Sequence, residues 1–151
     1  VNRAWDAGLV VVVAAGNNGP RTMSITTPGI SRKVITVGCS DDDREVLVGG
    51  NRMVDYSGRG PTAACICKPD LVAPGCSVVS CSSRADKYTI KSGTSMSTPI
   101  VSGAVALLLE RFPDMTNKDV KLRLRESSVD IGLPRNQQGW GLLDVGKMLE
   151  R

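Results

Sequence analysis

The run LVVVVAA, residues 9–15, is the feature that most constrains what this chain can fold into. It is a continuous apolar stretch, rich in β-branched residues, and it lacks the alternation of a strand with one wet face. It therefore predicts a buried strand of a parallel sheet. The segment GNNGP (16–20) stops it abruptly. A strand this apolar needs neighbours on both edges and layers on both faces, and the 151 residues supply only part of that. The chain reads as the second half of a doubly wound domain, with an open sheet edge near residues 9–15 and, on its own, a tendency to self-associate there.

The rest of the pattern agrees with an α/β sheet. Residues 1–7 read as the end of a helix closed by Gly8, so that the chain opens as if already inside an element. KVITVG (33–38) reads as a second short buried strand, MVDYSGRGPT (53–62) as a strand entering a Gly/Pro loop, and PDLVAPG (69–75) as another brief strand. CSVVSC (76–81) and KYTIKSG (87–93) form an expected strand pair joined by a polar turn at Ser82–Asp86. Three helices are expected to finish the chain. The first, over 95–111, is apolar on nearly every side and is expected to be buried (Val101, Ala104, Val105, Leu107, Leu108), with Pro99 in its buried start. The second starts at Thr116 with Asp119 at the capping-box position and runs to about Ser127. The third covers about Asp144–Leu149. Strands of this kind together with helices place the fold in the α/β class, with a mostly parallel sheet and flanking helices.

Composition narrows the function. Aromatics are only 3%, so the core must be built from Val, Ile, Leu and Ala. The net charge of +4 comes from 19 basic and 15 acidic residues. The densest basic run (Lys118, Lys121, Arg123, Arg125) has no interleaved aromatics, which reads as a solvated helix face rather than a nucleic-acid surface. No stretch approaches the about 20 apolar residues of a membrane span, so no membrane partner is expected. Five cysteines form an odd set, and several unpaired thiols fit a reducing compartment better than a secreted one. Cys65, Cys67, Cys76 and Cys81 read C-x-C-x8-C-x4-C, which raises a zinc site, yet the spacing lacks C-x2-C knuckles and structural or surface thiols are expected instead. SDDDRE (40–45) reads as a solvated turn, and no metal or other cofactor is expected of this chain.

Two segments carry chemistry. In SGTSMSTPIVSGAVALLL (92–109), Ser95 stands at a helix N-terminus, where free N–H groups and the dipole favour negative charge. An oxyanion forming beside this serine would be stabilised by the serine's own N–H. A plain Ser/Thr helix cap needs none of this and is the simpler reading of the segment alone. Asn17 follows Gly16 at the carboxyl end of the buried strand, where open α/β sheets place their ligands. Its amide can donate a second hydrogen bond to an oxyanion, although Asn18-Gly19 is a ready turn pair and either asparagine can simply shape the loop.

Together VVVVAAGNNGP and SGTSMSTPIVSGAVALLL resemble the oxyanion-asparagine and nucleophile-serine segments of subtilisin-like serine proteases, the subtilases. TPGISRKVITVGCSD, DYSGRGPT, KPDLVAPG and GWGLLDVGKML are similar to further landmarks of that family, in order, so the resemblance covers nearly the whole chain. It implies a subtilisin-like fold and hydrolysis of peptide bonds through an acyl-enzyme on Ser95, with Asn17 in the oxyanion hole. It also implies that Gly93 and Thr94 shape the tip, that Ala14, Ala15 and Gly16 wall the pocket for the residue before the cleaved bond, and that Thr27-Pro28 is a cis peptide. A peptide or protein is the implied substrate.

The chain departs from the family in two ways. Ser97-Thr98-Pro99-Ile100 replaces the family's frequent Ala-Ser-Pro-His, which does not touch the triad. The second departure is decisive: the triad order is Asp, His, Ser, and the chain contains no histidine. Asp55 and Asp70 match landmark loops, not the triad aspartate. The triad Asp and His are therefore expected in an upstream half, with residues 1–151 the carboxyl-terminal portion of the catalytic domain and inactive alone. Calcium is a family ligand whose loops belong largely to that upstream half. The alternative is a truncated, non-catalytic paralogue that binds peptides or proteins. The parent, read as bacterial, is either secreted or cytoplasmic, and the cysteines favour the cytoplasm.

Overall fold

The computed structural model describes residues 1–83 and 87–150. Its elements, in chain order, are α1 (Asn2–Asp6), β1 (Val12–Ala14), β2 (Ile35–Cys39), β3 (Val46–Val48), β4 (Asn51–Met53), β5 (Leu71–Ala73), β6 (Val78–Cys81), β7 (Tyr88–Lys91), α2 (Thr94–Arg111), α3 (Asn117–Ser127), α4 (Arg135–Gln138) and α5 (Val145–Leu149). The central sheet is parallel, in the order β1-β2-β5, with Ala14 opposite Val37 and Cys39 opposite Ala73. Beyond β5 the sheet is extended by a parallel bridge from Val72 to Leu142, which also bridges Val129. The fold is α/β with a mostly parallel sheet and flanking helices.

β2 sits between two partners and all five of its residues are buried. β1 sits at the edge, where an open edge was expected, but its residues are half-buried rather than buried, because among the described residues it pairs only with β2. The hydrophobic run predicts an environment that this part of the sheet provides on one side alone. Trp5, Val37, Leu71, Val101, Leu108 and Leu124 belong to the main core, which forms where α2 packs across β1, β2 and β5.

α2 is a second correction. Val101, Ala104, Val105 and Leu108 are buried, but Pro99, Ser102, Gly103, Ala106 and Leu107 are exposed, so one face of the helix is covered and Pro99 is not in a buried start. The segment expected as a strand entering a loop (53–62) is also different. Asn51–Met53 instead closes an antiparallel hairpin with Val46–Val48, and the chain beyond it is irregular. Gly49 and Gly50, at φ +59° and +90°, make the turn that only glycines enter without strain.

β6 and β7 pair antiparallel as expected, while residues 84–86 of the expected turn lie outside the described residues. In α3 the Thr116 side chain accepts the Asp119 N–H and the Asp119 carboxylate accepts the Thr116 N–H, completing the capping box. α5 starts on an Asp144 cap, and Gly8 follows α1 at φ +92°. No helix among the described residues is long and apolar enough to cross a membrane.

Candidate active site

The site is built where β1 ends and α2 begins. α2 runs for 18 residues, so the partial positive charge of its aligned peptide dipoles is concentrated at Thr94, Ser95 and Met96. Gly93 caps it at φ +137°, a conformation that excludes other side chains, and its N–H donates to the Gly75 carbonyl at 2.9 Å. The first-turn N–H groups have different fates. Thr94 donates to the Asn17 side chain at 2.9 Å and Met96 donates to the Gly93 carbonyl at 2.8 Å. The Ser95 N–H finds no acceptor among the described residues, and the Ser95 side chain is exposed.

Asn17 reaches this helix end from the loop after β1. Its Oδ1 accepts from both the Thr94 N–H, at 2.9 Å, and the Thr94 hydroxyl, at 3.0 Å. The Gly16 N–H in turn donates to Thr94 Oγ1 at 3.2 Å, so the two segments are tied across 78 residues of chain. With Oδ1 engaged twice, the Nδ2 end of the amide is turned to donate. It lies 3.2 Å from where a Cβ on Gly93 would stand, a tight approach that adds to the strain a side chain would already meet at φ +137°. Asn18 is exposed and makes no such contact.

A cleft of about 570 Å³ opens beside these groups, lined among others by Ala14, Gly16, Asn17, Thr26, Thr94 and Ser95. Of the residues expected to wall a substrate pocket, Ala14, Gly16 and Thr94 therefore reach the cleft. Ala15 is fully buried, bonded through its N–H to Val37 and through its carbonyl to the Thr26 N–H, and does not line it. Gly93 is buried behind the tip. Thr26 escaped the sequence reading. Its side chain lies against the Gly16 Cα, where any Cβ would collide with it. The Thr27-Pro28 peptide is cis.

Other candidate groups lie elsewhere. Asp70 precedes β5, at the end of the sheet away from the cleft. Its Oδ2 accepts from the Thr36 N–H at 2.7 Å and from Lys68 Nζ at 2.5 Å. Lys68 is 1% exposed, and burial pushes its ammonium below the usual lysine value while Asp70 opposes that. Asp55 is paired with Arg59 at 3.3 Å. All five cysteines are free, and burial pushes the Cys39 thiol up to about 12. Among the described residues no group of three or more His, Cys, Asp or Glu is placed to hold a metal ion. The expected solvated turn at 40–45 contains a buried exception, Asp42, at 3% exposure.

The sequence profile of the subtilase family, Peptidase_S8, matches residues 1–141. The chain is 43% identical over 141 residues to the serine protease AprX of Bacillus subtilis (strain 168), covering 85% of this chain and 32% of that protein. It is 34% identical over 147 residues to subtilisin DY of Bacillus licheniformis, covering 96% of this chain and 48% of that one. In fold it resembles the prenylagaramide maturation protease PagA, with a TM-score of 0.75 and 22% identity, covering 98% of this chain and 52% of that structure. The chain thus spans about a third to a half of the length of the relatives named here. With a profile match over nearly all its residues and this order of landmarks, the chain belongs to the subtilase family of serine peptidases.

Proposed function

We propose that this chain supplies the nucleophile and the oxyanion hole of a subtilisin-like serine endopeptidase, with the general base supplied from outside these 151 residues. The observation that carries this reading is the commitment of Asn17 Oδ1 to Thr94, which orients the amide N–H group as a donor next to Ser95. In the proposed step, Ser95 Oγ attacks the scissile carbonyl and its proton passes to the base. The carbonyl oxygen becomes an oxyanion between the Ser95 N–H and Asn17 Nδ2. The leaving amine takes the proton, and water then hydrolyses the acyl-enzyme.

Electrostatic logic supports the arrangement. Both donors are held before the charge develops, so no reorganisation is needed in the transition state. The positive end of α2 adds to them. No side chain of this sequence is a histidine, so the chain alone lacks a base of the required type and is expected to be inactive. Removing the base of a subtilisin costs on the order of 10⁶ in turnover, a magnitude established on that enzyme itself.

Steady-state peptide hydrolysis by the full-length protein tests the reading. Asn17→Ala is expected to lower kcat by about 10²–10³-fold with KM little changed, a magnitude also established on a subtilisin. A kcat within twofold of the parent would remove Asn17 from the oxyanion hole.

A further inference from the structure

Asn17 is useful only if its loop is held still, and the loop 16–19 has no regular structure of its own. Thr94 holds it on one side, through Gly16 and Asn17, and segment 55–58 braces its backbone on the other. The Gly58 N–H donates to the Gly16 carbonyl at 2.8 Å, and the Gly19 N–H donates to the Tyr56 carbonyl at 2.9 Å. These two bonds fall on either side of Asn17-Asn18. The contact is backbone to backbone: a Cβ on Gly58 would stand 2.8 Å from the Ala15 carbonyl, and one on Gly19 would collide with the Ser57 carbonyl.

Asp42 grips the bracing segment at two places, beside the Cys39 N–H bond to Ser57 Oγ at 2.9 Å and the Tyr56 hydroxyl bond to the Gly75 carbonyl at 3.3 Å. Asp42 Oδ2 accepts the Ser57 N–H at 2.7 Å, and the Asp42 carbonyl accepts the Asp55 N–H at 2.7 Å. Asp55 sits at φ +51°, in the left-handed region that aspartate enters more readily than most non-glycine residues, and its N–H is fixed there by the Asp42 carbonyl. Burial pushes the Asp42 carboxyl above its usual value, with the nearby Asp55 adding to it, and the Ser57 N–H bond and the charge of Arg59 offset only part of that cost. We infer that Asp42 is a positioning residue for catalysis: it fixes segment 55–58, which fixes the loop that carries Asn17.

The inference rests on the reading of Asn17 as an oxyanion donor, and the test separates the two. In the full-length protein, turnover is normalised to sites titrated with a serine-directed phosphonate, so that misfolded molecules do not count. Asp42→Ala is expected to lower kcat per titrated site on the order of tenfold, less than deletion of an oxyanion donor, with KM within about twofold. Asp42→Asn, which still accepts the Ser57 N–H, recovers most of the loss. Gly58→Ala, which wedges the two loops apart and leaves Asp42 intact, reproduces it. In an Asn17→Ala background, Asp42→Ala costs less than about twofold further, because it acts through a group already removed. An unchanged kcat per titrated site in Asp42→Ala, or equal losses with and without Asn17, overturns the inference. An unchanged kcat in Asn17→Ala alone overturns the oxyanion reading instead.

Discussion

At the scale of single residues, the site depends on which polar groups are already committed. Thr94 engages the acceptor end of Asn17 twice, and the donor end is what remains. The same commitment governs the thiols. Cys39 is fully buried beside the Tyr56 hydroxyl at 3.2 Å, and its raised pKa keeps it protonated throughout the neutral range. Iodoacetamide at pH 8 is therefore expected to modify the exposed Cys65, Cys67 and Cys81 and to leave Cys39 untouched until the protein is unfolded, as read by peptide mass spectrometry. Modification of Cys39 at the rate of the exposed thiols would contradict its assigned environment. Ser95 and Asn17 were legible as candidates because helix-start and strand-end positions restrict what a polar residue there can do. Thr26 and Asp42 were not, since each matters through a contact with a residue 10 or more positions away. No local pattern records such a contact.

At the scale of elements, the hydrophobic pattern marks where burial is needed without saying what provides it. Residues 9–15 have the composition of a central strand, yet β1 is half-buried at a sheet edge. α2 carries apolar residues around most of its circumference while only one face is covered. Adjacent leucines test this division. Leu108 is fully buried in the core under the sheet and Leu107 is 49% exposed on the other side. Leu108→Ala is expected to cost about 2–5 kcal/mol in denaturant unfolding, and Leu107→Ala at most about 1 kcal/mol. Equal losses would mean that α2 is not oriented as described. The β3–β4 hairpin turns at Gly49-Gly50, but the Asn51-Arg52 that follows lacks the apolar alternation that marks a strand in sequence. The four-residue α4 is too short to show any helical period.

At the scale of the whole molecule, the sequence landmarks place nearly every residue in a subtilase, and the parallel sheet with α2 across it carries Ser95 and Asn17 to one cleft. What the chain does not contain is a histidine to activate the serine it presents. On the proposed reading, the nucleophile, its helix and its oxyanion donors form one unit, and the base comes from outside these 151 residues. The most direct measurement of this division is intact-mass labelling with a serine-directed phosphonate, run in parallel on the 151-residue chain and on the full-length protein. One adduct per molecule, on Ser95, is expected in the full-length protein and none in the chain alone. Stoichiometric labelling of Ser95 in the lone chain, or an unlabelled Ser95 in the full-length protein, would contradict it.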